Sequence, residues 1–258
     1  MSTYTELRGL KVKYLAADPD PGTAGDVWYN STSFALKGFV GRAAWSAGAP
    51  LSTTREGSAG FGIQTAAVTC GGETPSVTNL TEEYNGSSWT TSPGNMNTAR
   101  FRVAGAGTLT AGIIFAGHTP PVTTATETYN GTAWTTSPYS LNTGRTSLAG
   151  AGNQTSALAF GGGPGYKNDT EEFDGEGWTS VNNLNTARNS IQGAGANAEE
   201  CLAFGGEISS PPATATNATE SWDGSSWTEV NNLNTARYGA YGAGTQTAAI
   251  VAGGIVGP

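Results

Sequence analysis

Three markers recur along this chain with one common period, and that recurrence restricts its fold more than any other feature. Tryptophan stands at Trp45, Trp89, Trp134, Trp178 and Trp227, in steps of 44, 45, 44 and 49 residues. An arginine follows each by ten or eleven positions: Arg55, Arg100, Arg145, Arg188 and Arg237. Sixteen or seventeen residues further on comes a glycine step: Gly71-Gly72, Ala116-Gly117, Gly161-Gly162, Gly205-Gly206 and Gly253-Gly254. A period of this length marks a unit that cannot bury its own faces and must stack on copies of itself.

Each unit reads as four short strands. The first follows the arginine and is built of small residues, as in Ala104-Gly105-Ala106-Gly107 and Gly193-Ala194-Gly195. The second is apolar and ends at the glycine step. The third ends in an aromatic, Tyr84, Tyr129, Phe173 or Trp222, and the fourth carries the marker tryptophan. Between the third and fourth stands Asn-Gly or Asp-Gly, which reads as a tight hairpin with positive φ at both centres. That turn sets the aromatic and the tryptophan opposite each other. Four strands repeated at this interval predict an all-β fold, a β-propeller with four antiparallel strands per blade. The Gly/Ala-only first strands suit crowding at the axis of a ring of few blades, here five.

The last glycine step lies close to Pro258, so the fifth unit has its first two strands and lacks two. The N-terminal side holds Trp45 with no glycine step before it, and Val27-Trp28-Tyr29-Asn30-Ser31 resembles the later hairpins. The expectation is a fifth blade shared by N- and C-terminal strands, which removes open sheet edges. Residues 1–26 then form an arm and residues 27–258 the propeller. The alternative is an open arc that closes as a homo-oligomer.

Composition excludes several function classes. Only 12% of the residues are charged and the formal net charge is −8. The four lysines and eight arginines form no run, so neither nucleic acid nor an anionic membrane is an expected partner. No apolar stretch approaches the roughly 18 residues of a membrane span, and no signal peptide is read at the N-terminus. Cys70 and Cys201 sit apart in apolar strands and read as buried free thiols.

The glycine step, the aromatic about a dozen residues on, the tryptophan five later and the following arginine resemble kelch repeats, over residues 40–258. In the second unit Ala116-Gly117 breaks the pair and His118 follows. Kelch propellers usually have more blades. Near the N-terminus, Lys11-Val12-Lys13-Tyr14-Leu15, Asp18-Pro19 and Gly25-Asp26-Val27-Trp28-Tyr29-Asn30 resemble a segment recurrent in virion proteins of marine tailed bacteriophages, where it accompanies fibre, decoration or adhesin-like modules. That resemblance implies a virion protein, made in the host cytoplasm, whose arm (Lys11, Lys13, Tyr14) docks on other head or tail proteins.

Candidate chemistry is sparse. His118 is the one histidine, too little for a metal site, and no Gly-x-Ser-x-Gly elbow accompanies it. Some kelch-like propellers are copper oxidases, whose sites need several histidines; the count excludes that. Glutamates before the third-strand aromatic (Glu82 and Glu83, Glu127, Glu171 and Glu172, Glu220) could pair as glycosidase carboxylates. They recur once per unit, as structural elements do, and are expected to bind the repeat arginines. The Gly-Ala stretches lack the Gly-Lys-Ser/Thr of a phosphate loop. No cofactor, metal or catalytic residue is therefore expected.

The functional lead is the loop after each glycine step, where the repeats diverge. Its candidate partner-binding residues are Pro75, Pro120, Pro121, Tyr166, Glu207, Pro211 and Pro212. Such loops lie on one propeller face, held rigidly by the blades. The more regular Trp-to-Arg connections, such as 92–98 and 137–143, are expected on the opposite face. Two functions remain: a virion protein contacting proteins or host-surface glycan, and a carbohydrate-binding or glycan-active propeller not tied to a virion. The second needs acidic and aromatic residues that depart from the repeat, for which Tyr139, Tyr166 and Glu207 are the candidates.

Overall fold

The computed structural model describes residues 13–17, 27–38 and 47–256. Internal contacts divide the chain into two compact units, Met1–Ala47 and Gly48–Pro258. Every regular element among the described residues is a strand.

In the N-terminal unit, β1 (Lys13–Leu15), β2 (Val27–Asn30) and β3 (Ala35–Gly38) form one sheet. The hairpin expected at Val27–Ser31 exists: β2 pairs antiparallel with β3, and the Asn30 side chain accepts the N–H groups of Thr32 and Ser33. Its assignment to the last blade is corrected. A strand has two edges, and both edges of β2 are taken, one by β3 and the other by the parallel strand β1, with Lys13 opposite Trp28. Lys11 and Trp45 lie outside the described residues; Lys13 and Tyr14 are in β1.

The second unit is propeller-like, with four complete blades. Blade 1 comprises β4 (Ala59–Ile63), β5 (Ala66–Cys70), β6 (Thr81–Tyr84) and β7 (Trp89–Thr91). Blade 2 comprises β8 (Ala104–Thr108), β9 (Ala111–Phe115), β10 (Thr126–Tyr129) and β11 (Trp134–Thr136). Blade 3 comprises β12 (Ala149–Asn153), β13 (Ser156–Phe160), β14 (Thr170–Phe173) and β15 (Trp178–Val181). In blade 4, β16 (Gln192–Gly195) and β17 (Cys201–Phe204) are followed by a loop ribbon, β18 (Glu207–Ser209) with β19 (Thr214–Ala215). The blade then ends with β20 (Thr219–Trp222) and β21 (Trp227–Val230). All four are antiparallel sheets in simple sequence order. The fifth repeat supplies β22 (Arg237–Tyr238), β23 (Tyr241–Thr245), β24 (Ala248–Ala252) and β25 (Ile255–Val256), pairing as β23–β24 and β22–β25.

The core lies between blades. Three buried clusters fill the interfaces of blades 1 and 2, 2 and 3, and 3 and 4. The first strands stand side by side in the order β4, β8, β12, β16, β23. Their small residues are required in β8, β12, β16 and β23, because an aromatic from the preceding blade lies over the central glycine of each. A Cβ on Gly150 would come within 2.7 Å of Phe115 Cζ, and one on Gly193 within 2.5 Å of Phe160 Cζ. Phe204 covers Gly242 of β23 in the same way. Blade 1 departs from this: Cys70 stands where the others have phenylalanine, and Phe61 on β4 reaches over Gly112 instead.

The hairpins keep the expected register, Tyr84 opposite Trp89, Tyr129 opposite Trp134, Phe173 opposite Trp178 and Trp222 opposite Trp227. The turns differ from expectation. Four residues separate the strands, and only the glycine has positive φ. The Asn or Asp side chain replaces the second positive-φ residue by accepting backbone N–H groups two and three positions on, as Asn85 does from Ser87 and Ser88. At Asp223 the N–H and hydroxyl donors of Ser226 and Ser225 hold the carboxyl down at about 2.

Both cysteines are buried free thiols. Burial lifts Cys70 to about 12, and lifts Cys201 further with help from Glu172. Because the thiolate is the reactive form, neither is expected to react with a thiol reagent at pH 8 in the folded protein, and both on unfolding. Rapid labelling of either in native protein would contradict this packing.

Candidate functional site

Four arginine–glutamate pairs are buried in the blades. Arg145 donates through Nη1 to the carbonyls of Gly161 (3.2 Å) and Asp169 (2.7 Å), and through Nη2 to Glu171 Oε1 (2.9 Å). Glu171 Oε2 accepts the backbone N–H of Asn142 at 2.6 Å. One ion pair thus pins the end of β13, the start of β14 and the inter-blade connection. Arg100 repeats the pattern with Ala116, Ala125 and Glu127, and Arg188 with Gly205, Ala218 and Glu220. Arg55 does so with Gly71, Leu80 and Glu82. The second glutamate oxygen takes the N–H of Asn97, Asn185 and Ser52 respectively. All eight side chains are essentially inaccessible.

Such pairs are costly to desolvate, and each of the four guanidinium groups also keeps its Nε buried with no partner among the described residues. Burial pushes Arg145 and Arg188 below the usual guanidinium range, against the pull of Glu171 and Glu220. Burial pushes Glu82 up, but its bonds to Ser52 and Arg55 outweigh it, and its carboxyl sits below the usual value. None of the four carboxylates has an oxygen left for a substrate. Among the described residues, Arg237 makes only the first bond of the set, to Gly253 O at 2.7 Å.

The tryptophans link neighbouring blades. Trp134 Nε1 donates to Thr81 Oγ1 of the preceding blade at 2.9 Å, Trp178 to Thr126 at 3.0 Å and Trp227 to Thr170 at 3.1 Å. Each indole also stacks on its own hairpin partner, and Trp178 and Trp227 stand edge-on to Phe115 and Phe160. Thr219 is the equivalent threonine of blade 4, and its Oγ1 is buried with no partner among the described residues.

The expectation of two opposite loop faces is corrected. Four antiparallel strands return the chain to the end from which it started. The Trp-to-Arg connections therefore share a face with the loops after the glycine steps. The two are bonded together: Met96 N donates to Asn79 O, Gly72 N to Arg100 O and Leu184 N to Asn168 O.

That face surrounds the axis. Each first strand is the end member of its sheet, so its inner edge carries unpaired backbone groups toward a channel. The narrow part, about 110 Å³, is lined by glycine and alanine with Phe61. On the loop side it widens into a cavity of about 730 Å³. Around the mouth one residue per repeat is left-handed: Gly57, Arg102, Ser147, Ser190 and Gly239, with φ of 63, 52, 53, 50 and 61°. Arg102 N bonds Gly57 O (2.6 Å), Ser147 N bonds Arg102 O (3.0 Å) and Gly239 N bonds Ser190 O (3.0 Å). Ser190 N turns instead to its neighbour Asn189 Oδ1.

Against protein-family models and curated proteins, the chain finds no match. The site must therefore be read from its own residues.

Of the expected loop residues, Tyr166 and Glu207 come together, the phenol donating to Glu207 Oε1 at 3.4 Å. Desolvation and then the Glu207 charge raise the Tyr166 phenol. Glu207 also lines the cavity, whereas Pro75, Pro120, Pro121, Pro211 and Pro212 are on loops at the same end without lining it. Tyr139 sits away from the mouth, beside Phe173. His118 packs its ring edge-on to Phe101, with Nδ1 buried and unpartnered. Among the described residues no three His, Cys, Asp or Glu side chains converge as a metal site.

Sequence reading missed the cavity wall. Its distinctive members are Glu56, Phe101, Arg102, Gln192, Tyr238 and Tyr241. The signal was present one, two and four places after each repeat arginine. There the units disagree: Glu, Phe, Thr, Asn, Tyr at the first place, and Ala, Ala, Ala, Gln, Tyr at the fourth.

Proposed function

We propose that this chain is a non-enzymatic structural and binding protein of a bacteriophage virion. It docks on head or tail proteins through its N-terminal arm and presents the loop face of a kelch-like propeller to a protein or host-surface glycan. The observation that carries the non-catalytic part is the use of the buried charges. Among the described residues, each deeply buried carboxylate recurs once per blade and has one oxygen engaged by an arginine and the other by a backbone amide. The departures from the repeat lie at the axial mouth, where a ligand meets the surface. The virion assignment rests on the resemblance of residues 11–30.

The same proposal holds that the propeller has five blades, with the outer strands of the last supplied from the N-terminal side by the segment carrying Trp45. Three features of the fifth position support this. Among the described residues, Thr219 Oγ1 lacks the indole donor its equivalents have. Phe204 covers Gly242 as Phe115 and Phe160 cover theirs. Gln246 bonds Trp222 O of blade 4 as Gln154 bonds Tyr129 O of blade 2.

The test is cosedimentation with assembled phage particles, comparing the full chain with one lacking residues 1–26. Only the full chain should pellet with the particles. Two folded proteins that both stay in the supernatant would overturn the virion reading.

A further inference from the structure

We propose that the axial cavity on the loop face is a binding site for a neutral oligosaccharide. This deepens the binding role above and rests on it only for the face that is presented.

The repeat supplies its own control. A residue that only builds the propeller should be the same in every unit, and at the fourth place after the arginine three units have alanine: Ala59, Ala104 and Ala149. The other two place Gln192 and Tyr241 there, both on the cavity wall. At the left-handed place two repeats hold glycine (Gly57, Gly239) and two hold serine (Ser147, Ser190), while blade 2 alone holds a long cation, Arg102. Packing requires neither substitution, since the other repeats fold without them.

The chemistry of the wall selects the ligand. Asn189 and Gln192 offer amides that both donate and accept, and Glu56 and Glu207 offer acceptors. Phe101, Tyr238 and Tyr241 bring rings against which the apolar face of a sugar can lie. Five free strand edges add unpaired backbone donors and acceptors around the axis. Among the described residues of the mouth, Arg102 is the one cation not already paired to a glutamate, against the carboxylates of Glu56 and Glu207, so a polyanion is disfavoured. At about 730 Å³ the cavity falls within the usual range of small-ligand sites, roughly 300–1,000 Å³.

The experiment is titration of the full chain with neutral hexasaccharides of glucose, mannose and N-acetylglucosamine, followed by ligand-observed NMR and calorimetry. At least one should bind saturably. Gln192→Ala and Arg102→Gly install residues that other repeats carry at the same places, so both variants should fold. The double variant should weaken binding at least tenfold, with an unchanged or higher melting temperature. Absence of saturable binding to the whole panel, or equal binding by wild type and the folded double variant, would overturn the proposal. Cosedimentation that persists while no sugar binds would sink the saccharide site and leave the virion reading standing. Sugar binding without cosedimentation would do the reverse.

Discussion

Replacing Arg145 with alanine is expected to lower the unfolding free energy by about 3–5 kcal/mol. Whole domains are stable by only about 5–15 kcal/mol, so the denaturation midpoint should move by a large fraction of its value. The loss comes from what is left behind. Glu171 would remain buried with one amide donor, and the carbonyls of Gly161 and Asp169 would lose a charged partner. Removing Glu171 as well should restore part of the stability, because the unpaired buried charge is the main penalty. Arg237→Ala is the internal control. Its side chain makes one backbone bond and no ion pair among the described residues, so its loss should cost below about 1 kcal/mol. Urea titration followed by near-UV circular dichroism measures all three. A shift below about 1 kcal/mol for Arg145→Ala would show that the ion pair is not the fastener of the blade.

Trp178→Ala is the second large effect, expected at about 3–5 kcal/mol from lost burial and the cavity left behind. The indole stacks on Phe173 at 5.1 Å and stands edge-on to Phe115 at 4.8 Å. Its N–H also satisfies Thr126 Oγ1 of the preceding blade. Trp178→Phe should retain most of the stacking and lose the bond, costing less than the alanine variant. Because the indole bridges two blades, the damage should spread to both sides of the interface. Hydrogen exchange should therefore show protection falling in β9 and β10 as well as in β13 and β14. Loss confined to blade 3 would contradict the inter-blade role.

These two fasteners explain how much of the molecule could be read without coordinates. Residues that do the same work in every repeat announce themselves by recurrence. The five arginines, the marker tryptophans, the glutamates and the Gly/Ala strands all led to the correct sheet order. Local chemistry was less legible: Asn-Gly pointed to a two-residue turn, but the side chain of Asn85 can cap the amides itself and allows a four-residue loop. The N-terminal hairpin misled for a related reason. Val27–Asn30 has the pattern of a third strand, but pattern does not say which strand lies on the other edge, and here it is Lys13–Leu15. The cavity wall was least visible. Gln192, Arg102 and Tyr241 are significant because they break the repeat, and a search for recurrence passes over them. Placing both sets of connections on one face required counting strand directions, which the even number of strands per blade decides.

The proposed closure of the ring as five copies of one module is tested most directly at Thr219, whose buried Oγ1 has no partner among the described residues. A double-mutant cycle between Trp45→Phe and Thr219→Val, measured by urea denaturation of the full chain, reports whether this indole and this hydroxyl meet. The cycle between Trp178→Phe and Thr126→Val serves as reference. The account predicts a coupling of about 1 kcal/mol in both cycles, as for a buried hydrogen bond. Coupling between Trp178 and Thr126, with strict additivity between Trp45 and Thr219, would contradict closure of the ring by the N-terminal segment.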